Sequence, residues 1–149
     1  MARTKTVTLA VLVVALLAAL TLAVGCSSGG GSAAAPQKTL ETYIKAHQSE
    51  WDNTVAQIKE SGGSIMDVEM TCSGNTITQT MTYKQVYSDD AVAKMKTQFE
   101  QQGPSMVAKV ADQIKQMEQE ADVTGITWIF EYRNGDGKAI YSTEAKAAK

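Results

Sequence analysis

Residues 66–83 read MDVEMTCSGNTITQTMTY. Apolar and polar side chains alternate on either side of Gly74-Asn75, and that alternation is the period of a strand with one buried face. Gly and Asn tolerate the positive φ angles of a tight turn, so Met66–Cys72 and Thr76–Tyr83 read as a hairpin. Pairing Ser73 with Thr76 sets Cys72 opposite Ile77, Met70 opposite Gln79 and Val68 opposite Met81. The other face then carries Asp67, Glu69 and Thr71 against Thr78, Thr80 and Thr82. Gln79 is the one polar residue on the apolar face.

Outward from this hairpin, the period changes from two to about 3.6. Before it, Thr39 to Glu60 places Leu40, Tyr43, Ile44, His47, Trp51, Val55 and Ile58 on one stripe, the pattern of an amphipathic helix. Thr39 suits the N-cap, Glu41 suits the positive end of the helix dipole, and Ser61-Gly62-Gly63-Ser64 stops the helix. After the hairpin, Asp89 to Ala121 carries a stripe from Val92 through Phe99, Met106 and Ile114 to Ala121, with Ser88 or Asp89 as cap. Gly103-Pro104 sits in its middle. Proline removes one helical hydrogen bond and crowds the turn before it, which predicts a kink or a break. The stripe resumes in phase beyond it, which favours a kink.

Thr124–Arg133 and Lys138–Thr143 read as a second hairpin around Asn134-Gly135-Asp136-Gly137. Ile126, Trp128, Phe130 and Tyr132 share a face, Tyr141 is expected opposite Phe130, and Glu144–Lys149 reads as frayed. The order is helix, hairpin, helix, hairpin. It predicts an α+β two-layer sandwich, with a four-stranded antiparallel sheet and two helices on one face.

The N-terminus addresses location. Arg3 and Lys5 precede an apolar run from Val7 to Val24, and the run ends in LAVGCSSGGGS at residues 22–32. A short basic start, an apolar core and small residues at its end are the parts of a secretory signal. Leu22-Ala23-Val24-Gly25-Cys26 resembles the bacterial lipobox, with Ala23 where leucine is commonest. The resemblance implies a diacylglyceryl group on the Cys26 thiol and cleavage between Gly25 and Cys26. The expected division is a signal peptide at 1–25, a lipidated cysteine and tether at 26–38, and one domain at 39–149. The tether is rich in Gly, Ser and Ala and reaches on the order of 20 Å from a bilayer. Buried acyl chains contribute about 0.8 kcal/mol per methylene, so two or three of them hold a domain firmly.

Composition narrows the function classes. The whole chain has a formal net charge of −2, with 14 basic and 16 acidic side chains. Loss of the signal makes it more acidic still, so there is no basic footprint for nucleic acid. With Cys26 acylated, Cys72 has no intramolecular partner and no disulfide framework forms.

The short signatures Leu40-Glu41-Thr42-Tyr43-Ile44, Asp67-Val68-Glu69 and Met81-Thr82-Tyr83-Lys84 come in an order with Asp89-Asp90-Ala91-Val92, Glu131-Tyr132, Asn134-Gly135-Asp136-Gly137 and Ile140-Tyr141. This order resembles a family of small lipoproteins of unknown function, common in Gram-positive bacteria, over about Thr39 to Ser142. The resemblance implies a domain behind a lipid anchor and brings no catalytic residue with it.

No residue set reaches the spacing of a known catalytic or cofactor site, and no cofactor is expected. His47 lies on an apolar helix stripe, where a histidine is more often packed than catalytic. A Cys72 nucleophile with His47 as base would make a small thiol enzyme, and that is one alternative. Met70, Cys72 and Met81 share a predicted face and would suit a soft metal such as Cu(I), which is another. Methionine at core spacing is more often a space-filler. Aligning Gly137 with the glycine of a calcium loop puts Tyr132 first and Thr143 last, both wrong for ligands, so the loop reads as a turn. The expectation is an extracytoplasmic lipoprotein on the cell membrane, a non-enzymatic module whose partner is an unidentified protein or envelope component.

Overall fold

The computed structural model describes residues 38–148. The expected signal, the Gly25/Cys26 cleavage site, the lipidation at Cys26 and nearly all of the tether lie outside the described residues. The elements are α1 (Leu40–Ala46), α2 (Gln48–Gly62), β1 (Met66–Ser73), β2 (Thr76–Tyr83), α3 (Asp89–Ala121), β3 (Thr127–Arg133) and β4 (Ala139–Lys146). Among these described residues no helix is long and apolar enough to cross a membrane.

The first hairpin forms in the register that the alternation dictates: Ser73 pairs with Thr76, Cys72 with Ile77, Met70 with Gln79 and Val68 with Met81. Its turn also anchors neighbours. Glu41 N–H donates to the Gly74 carbonyl (2.9 Å) and Glu41 Oε2 accepts from Gly74 N–H (2.8 Å). Asn75 Oδ1 accepts from Leu40 N–H (2.8 Å), while its Nδ2 donates to the Thr124 carbonyl (2.9 Å). One turn thereby fixes where α1 starts and where β3 enters.

The sheet corrects the expected antiparallel sandwich. Its order is β1-β2-β3-β4, and β2 runs parallel to β3, so the sheet is mixed. The cause is the single helix between the hairpins. The chain leaves β2 at Tyr83, α3 carries it back over a length of about 50 Å, and β3 begins where β2 began. Thr127 N–H donates to the Asn75 carbonyl at that end (3.0 Å). A strand, a long helix and a strand make a crossover, and a crossover joins parallel strands.

The helix count is also corrected, from two to three. The stripe from Leu40 to Ile58 is continuous in sequence, yet the chain steps at His47, with φ −118° and ψ 35°. Thr39 caps α1 through a reciprocal capping box with Thr42. Gly63, at φ 57°, closes α2. The third helix keeps its expected limits, Asp89–Ala121, and runs through Pro104 without a break. There Gly103 is buried, and a Cβ on it would collide with Tyr141 Oη. Glycine at this point lets the helix sit against the β4 tyrosine.

In the second hairpin Tyr141 pairs with Tyr132, not Phe130, which faces Thr143. A bulge between Tyr132 and Arg133 leaves Ile140 out of the pairing, and Ile140 is buried. A bulge re-aims side chains in this way. Residues 144–146, expected to fray, extend β4, and Ala145 is buried opposite Trp128.

The helices cover one face of the sheet. The core there includes Ile77, Met81, Ile114 and Ile126, all fully buried. Phe99 of α3 stacks on Tyr132 with ring centroids 4.2 Å apart. Burial of such apolar surface is the main favourable term in folding, at about 25 cal/mol per Å². Gln79, the polar residue on this face, is buried between Met70 and Phe130, and its amide points a donor at Met81 Sδ (3.7 Å).

Candidate functional site

The two helical walls do not close over the sheet. Between them lies a cleft of about 120 Å³. Met70 of β1, Ile77 of β2 and Trp128 of β3 form its floor. Tyr43, His47, Glu50 and Trp51 form the wall from α1 and α2, with Thr54 one turn further on. Gln113, Gln116, Met117 and Glu120 form the wall from α3. Both tryptophans of the chain line it, and among the described residues no Lys or Arg does.

Trp128 lies on the floor because Ile126, Trp128, Phe130 and Tyr132 share the buried face of β3. Its ring stacks flat along the strand on Phe130, at 5.5 Å and 5°. The residue is only 2 % exposed, and its indole N–H has no hydrogen-bond partner. The wall repeats this. Glu50 sits in the first turn of α2, where the helix dipole favours an anion. Its Oε2 is buried and also lacks a partner. Leaving a buried polar group unpaired costs roughly 1–3 kcal/mol, and more when it is charged. Both atoms belong to residues that line one cleft.

Tyr43 and His47 are one helical turn apart and stack at 4.3 Å. His47 Nδ1 meets the Tyr43 carbonyl at 2.9 Å; a carbonyl only accepts, so Nδ1 carries the proton. Burial pushes the Tyr43 phenol above its ordinary range, and the charges of Glu120 and then Glu50 add to the rise. The cleft is aromatic and negative.

The structure separates the residues that sequence reasoning grouped for chemistry. His47 lines the cleft; Cys72 is half-buried on β1, outside its lining, with its thiol toward the Gly74 carbonyl (3.8 Å). Burial, helped by the Glu41 charge, pushes that thiol up to about 11. Met70 joins the cleft floor, whereas Met81 is fully buried two positions along β2 from Gln79. Among the described residues no group of three or more His, Cys, Asp or Glu side chains is placed to hold a metal ion.

The loop at Asn134–Gly137 closes on itself as a turn. Asn134 N–H donates to the Lys138 carbonyl, and Asp136 Oδ1 accepts from Lys138 N–H (3.1 Å). Buried Asn134 also braces the approach to α3. Its Oδ1 accepts from Tyr87 N–H (2.8 Å), and its Nδ2 donates to the Tyr87 carbonyl (3.0 Å).

Sequence reasoning missed Glu50, Trp128 and Glu120 as site residues. Tyr43, His47, Glu50 and Trp51 at helical spacing were the available signal. Trp128 alone reads as core, and nothing in the sequence shows that its N–H is orphaned.

No curated protein and no solved structure matches the chain. A family model does match, over residues 40–145, described as a domain of unknown function (DUF4854). The match runs from the first residue of α1 to within one residue of the end of β4, and the chain belongs to that family.

Proposed function

We propose that this chain is an extracytoplasmic binding module held to a membrane by lipid on Cys26, and that the cleft over Trp128 receives its ligand. The observation that supports binding is that two residues lining that cleft, Trp128 and Glu50, each carry a buried polar atom without a partner. What supports the anchor is the sequence Leu22–Cys26 followed by its Gly/Ser tether. A thiol-dependent reaction is disfavoured, because burial keeps Cys72 protonated at neutral pH.

Two experiments test the two halves. For the anchor, Cys26→Ser leaves the precursor unprocessed; a mutant that still migrates as the mature membrane species contradicts lipidation. For the cleft, saturation-transfer NMR with benzyl alcohol compares the full chain in dodecyl maltoside with its Thr54→Trp variant, in which a large ring replaces a small lining side chain and takes up cleft space. Micelle signal is common to both samples. Binding in the cleft gives a larger transfer to the wild type, and equal transfer refutes it.

A further inference from the structure

We infer that the cleft selects a small organic ammonium ion bearing a hydrogen-bond acceptor, taken free from solution. The inference rests on the binding reading above and names the ligand class for that site. Three features carry it. Tyr43, Trp51 and Trp128 offer aromatic rings, and ring faces attract cations, most strongly where water is excluded. Glu50 and Glu120 supply negative charge from the two helical walls, and among the described residues no Lys or Arg lines the cleft to cancel it. Trp128, which lines the cleft, carries a buried N–H donor without a partner, and an acceptor on the ligand would satisfy it.

Competing ligands fit less well. A carboxylate or phosphate would satisfy the indole N–H but meet Glu50 and Glu120. A purely apolar molecule would leave both Trp128 Nε1 and Glu50 Oε2 unpaired at a low dielectric. A bare divalent metal ion needs several hard ligands, and the described residues hold no cluster of three. Size sets the scale: 120 Å³ is comparable to the ~150 Å³ cavity that holds a benzene ring. A trimethylammonium or short alkylammonium group fits that space, with an oxygen two carbons away reaching for the indole. A lipid headgroup with the same cation would bring its phosphate diester against the carboxylates, which favours the free ion.

Choline and 3,3-dimethylbutan-1-ol test this directly. They share shape and hydroxyl and differ only in charge. Both tryptophans line the cleft, so intrinsic fluorescence of the full chain in dodecyl maltoside reports occupancy. The expected result is choline binding at least about tenfold tighter than the neutral isostere, a gap that narrows in Glu50→Gln and closes further in Glu50→Gln/Glu120→Gln. Equal affinity for the two overturns the cation assignment while leaving cleft binding intact. Silence from both, with benzyl alcohol still transferring to the wild type over Thr54→Trp, overturns it equally. If benzyl alcohol also fails to discriminate, the binding reading itself falls. Phosphatidylcholine added to the same micelles is expected not to displace choline; displacement would overturn the free-ion assignment.

Discussion

Asn134 is the residue on which the loop before α3 depends. One buried side chain bonds the backbone N–H and carbonyl of Tyr87 and the N–H of Gly135. Asn134→Ala removes all three bonds and leaves part-buried backbone groups without them, so we expect a loss of about 2 kcal/mol, read from urea denaturation. The adjacent Gly135 approaches the Gln85 backbone so closely that a Cβ would lie 2.7 Å from its carbonyl carbon. At Cys72 the expectation is inertness. With its pKa pushed up to about 11, on the order of one molecule in ten thousand is thiolate at pH 7. Iodoacetamide labelling of native protein should be far slower than of the urea-unfolded chain, and equal rates would reopen the thiol reading. Cys72 shows how much a single residue's sequence context tells. Its place on the apolar face followed from alternation, whereas its protonation depended on burial and on Glu41, 31 positions earlier in the numbering.

At the scale of elements, two contacts carry expectations. Alanine normally favours a helix over glycine by about 1 kcal/mol, but Gly103→Ala drives its methyl into Tyr141 Oη. We expect Gly103→Ala to lower the melting temperature and Gly103→Ala/Tyr141→Phe to recover part of the loss. A stabilised single variant would contradict the close approach. Glu41 joins α1 to the first hairpin. Its carboxyl lies below the usual range because it accepts from Gly74 N–H and, next, pairs with Lys45. A folded-state pKa below the unfolded value contributes stability that is present above the unfolded value of 4.5 and fades as pH falls through the folded one. The melting-temperature gap between wild type and Glu41→Gln should therefore shrink from about pH 6 to about pH 3. The first hairpin was legible to the residue, since alternation and a Gly-Asn turn fix the register together. So were the ends of α3. The step at His47 was not, because the apolar stripe runs through it in phase and only the φ/ψ of one residue departs.

The whole molecule adds what no element contains. Each hairpin could be read alone, but the parallel junction of β2 with β3 follows from one helix returning the chain, and sequence patterning is silent on which strands become neighbours. The cleft is equally global. Glu50 and Glu120 are 70 positions apart on different helices, and Trp128 lies beneath both on a third element. Local pattern made Trp128 a core residue, which it is by burial; that its N–H lacks a partner is a property of the assembled fold alone. The most direct measurement is therefore the pair of indole N–H resonances in ¹⁵N-labelled full chain, titrated with choline. Trp51→Phe assigns the two peaks. A ligand seated in the cleft gives Trp128 Nε1–H its missing acceptor and shifts that peak downfield in step with the fluorescence change. Saturation of the fluorescence change with the Trp128 peak unmoved would contradict the site.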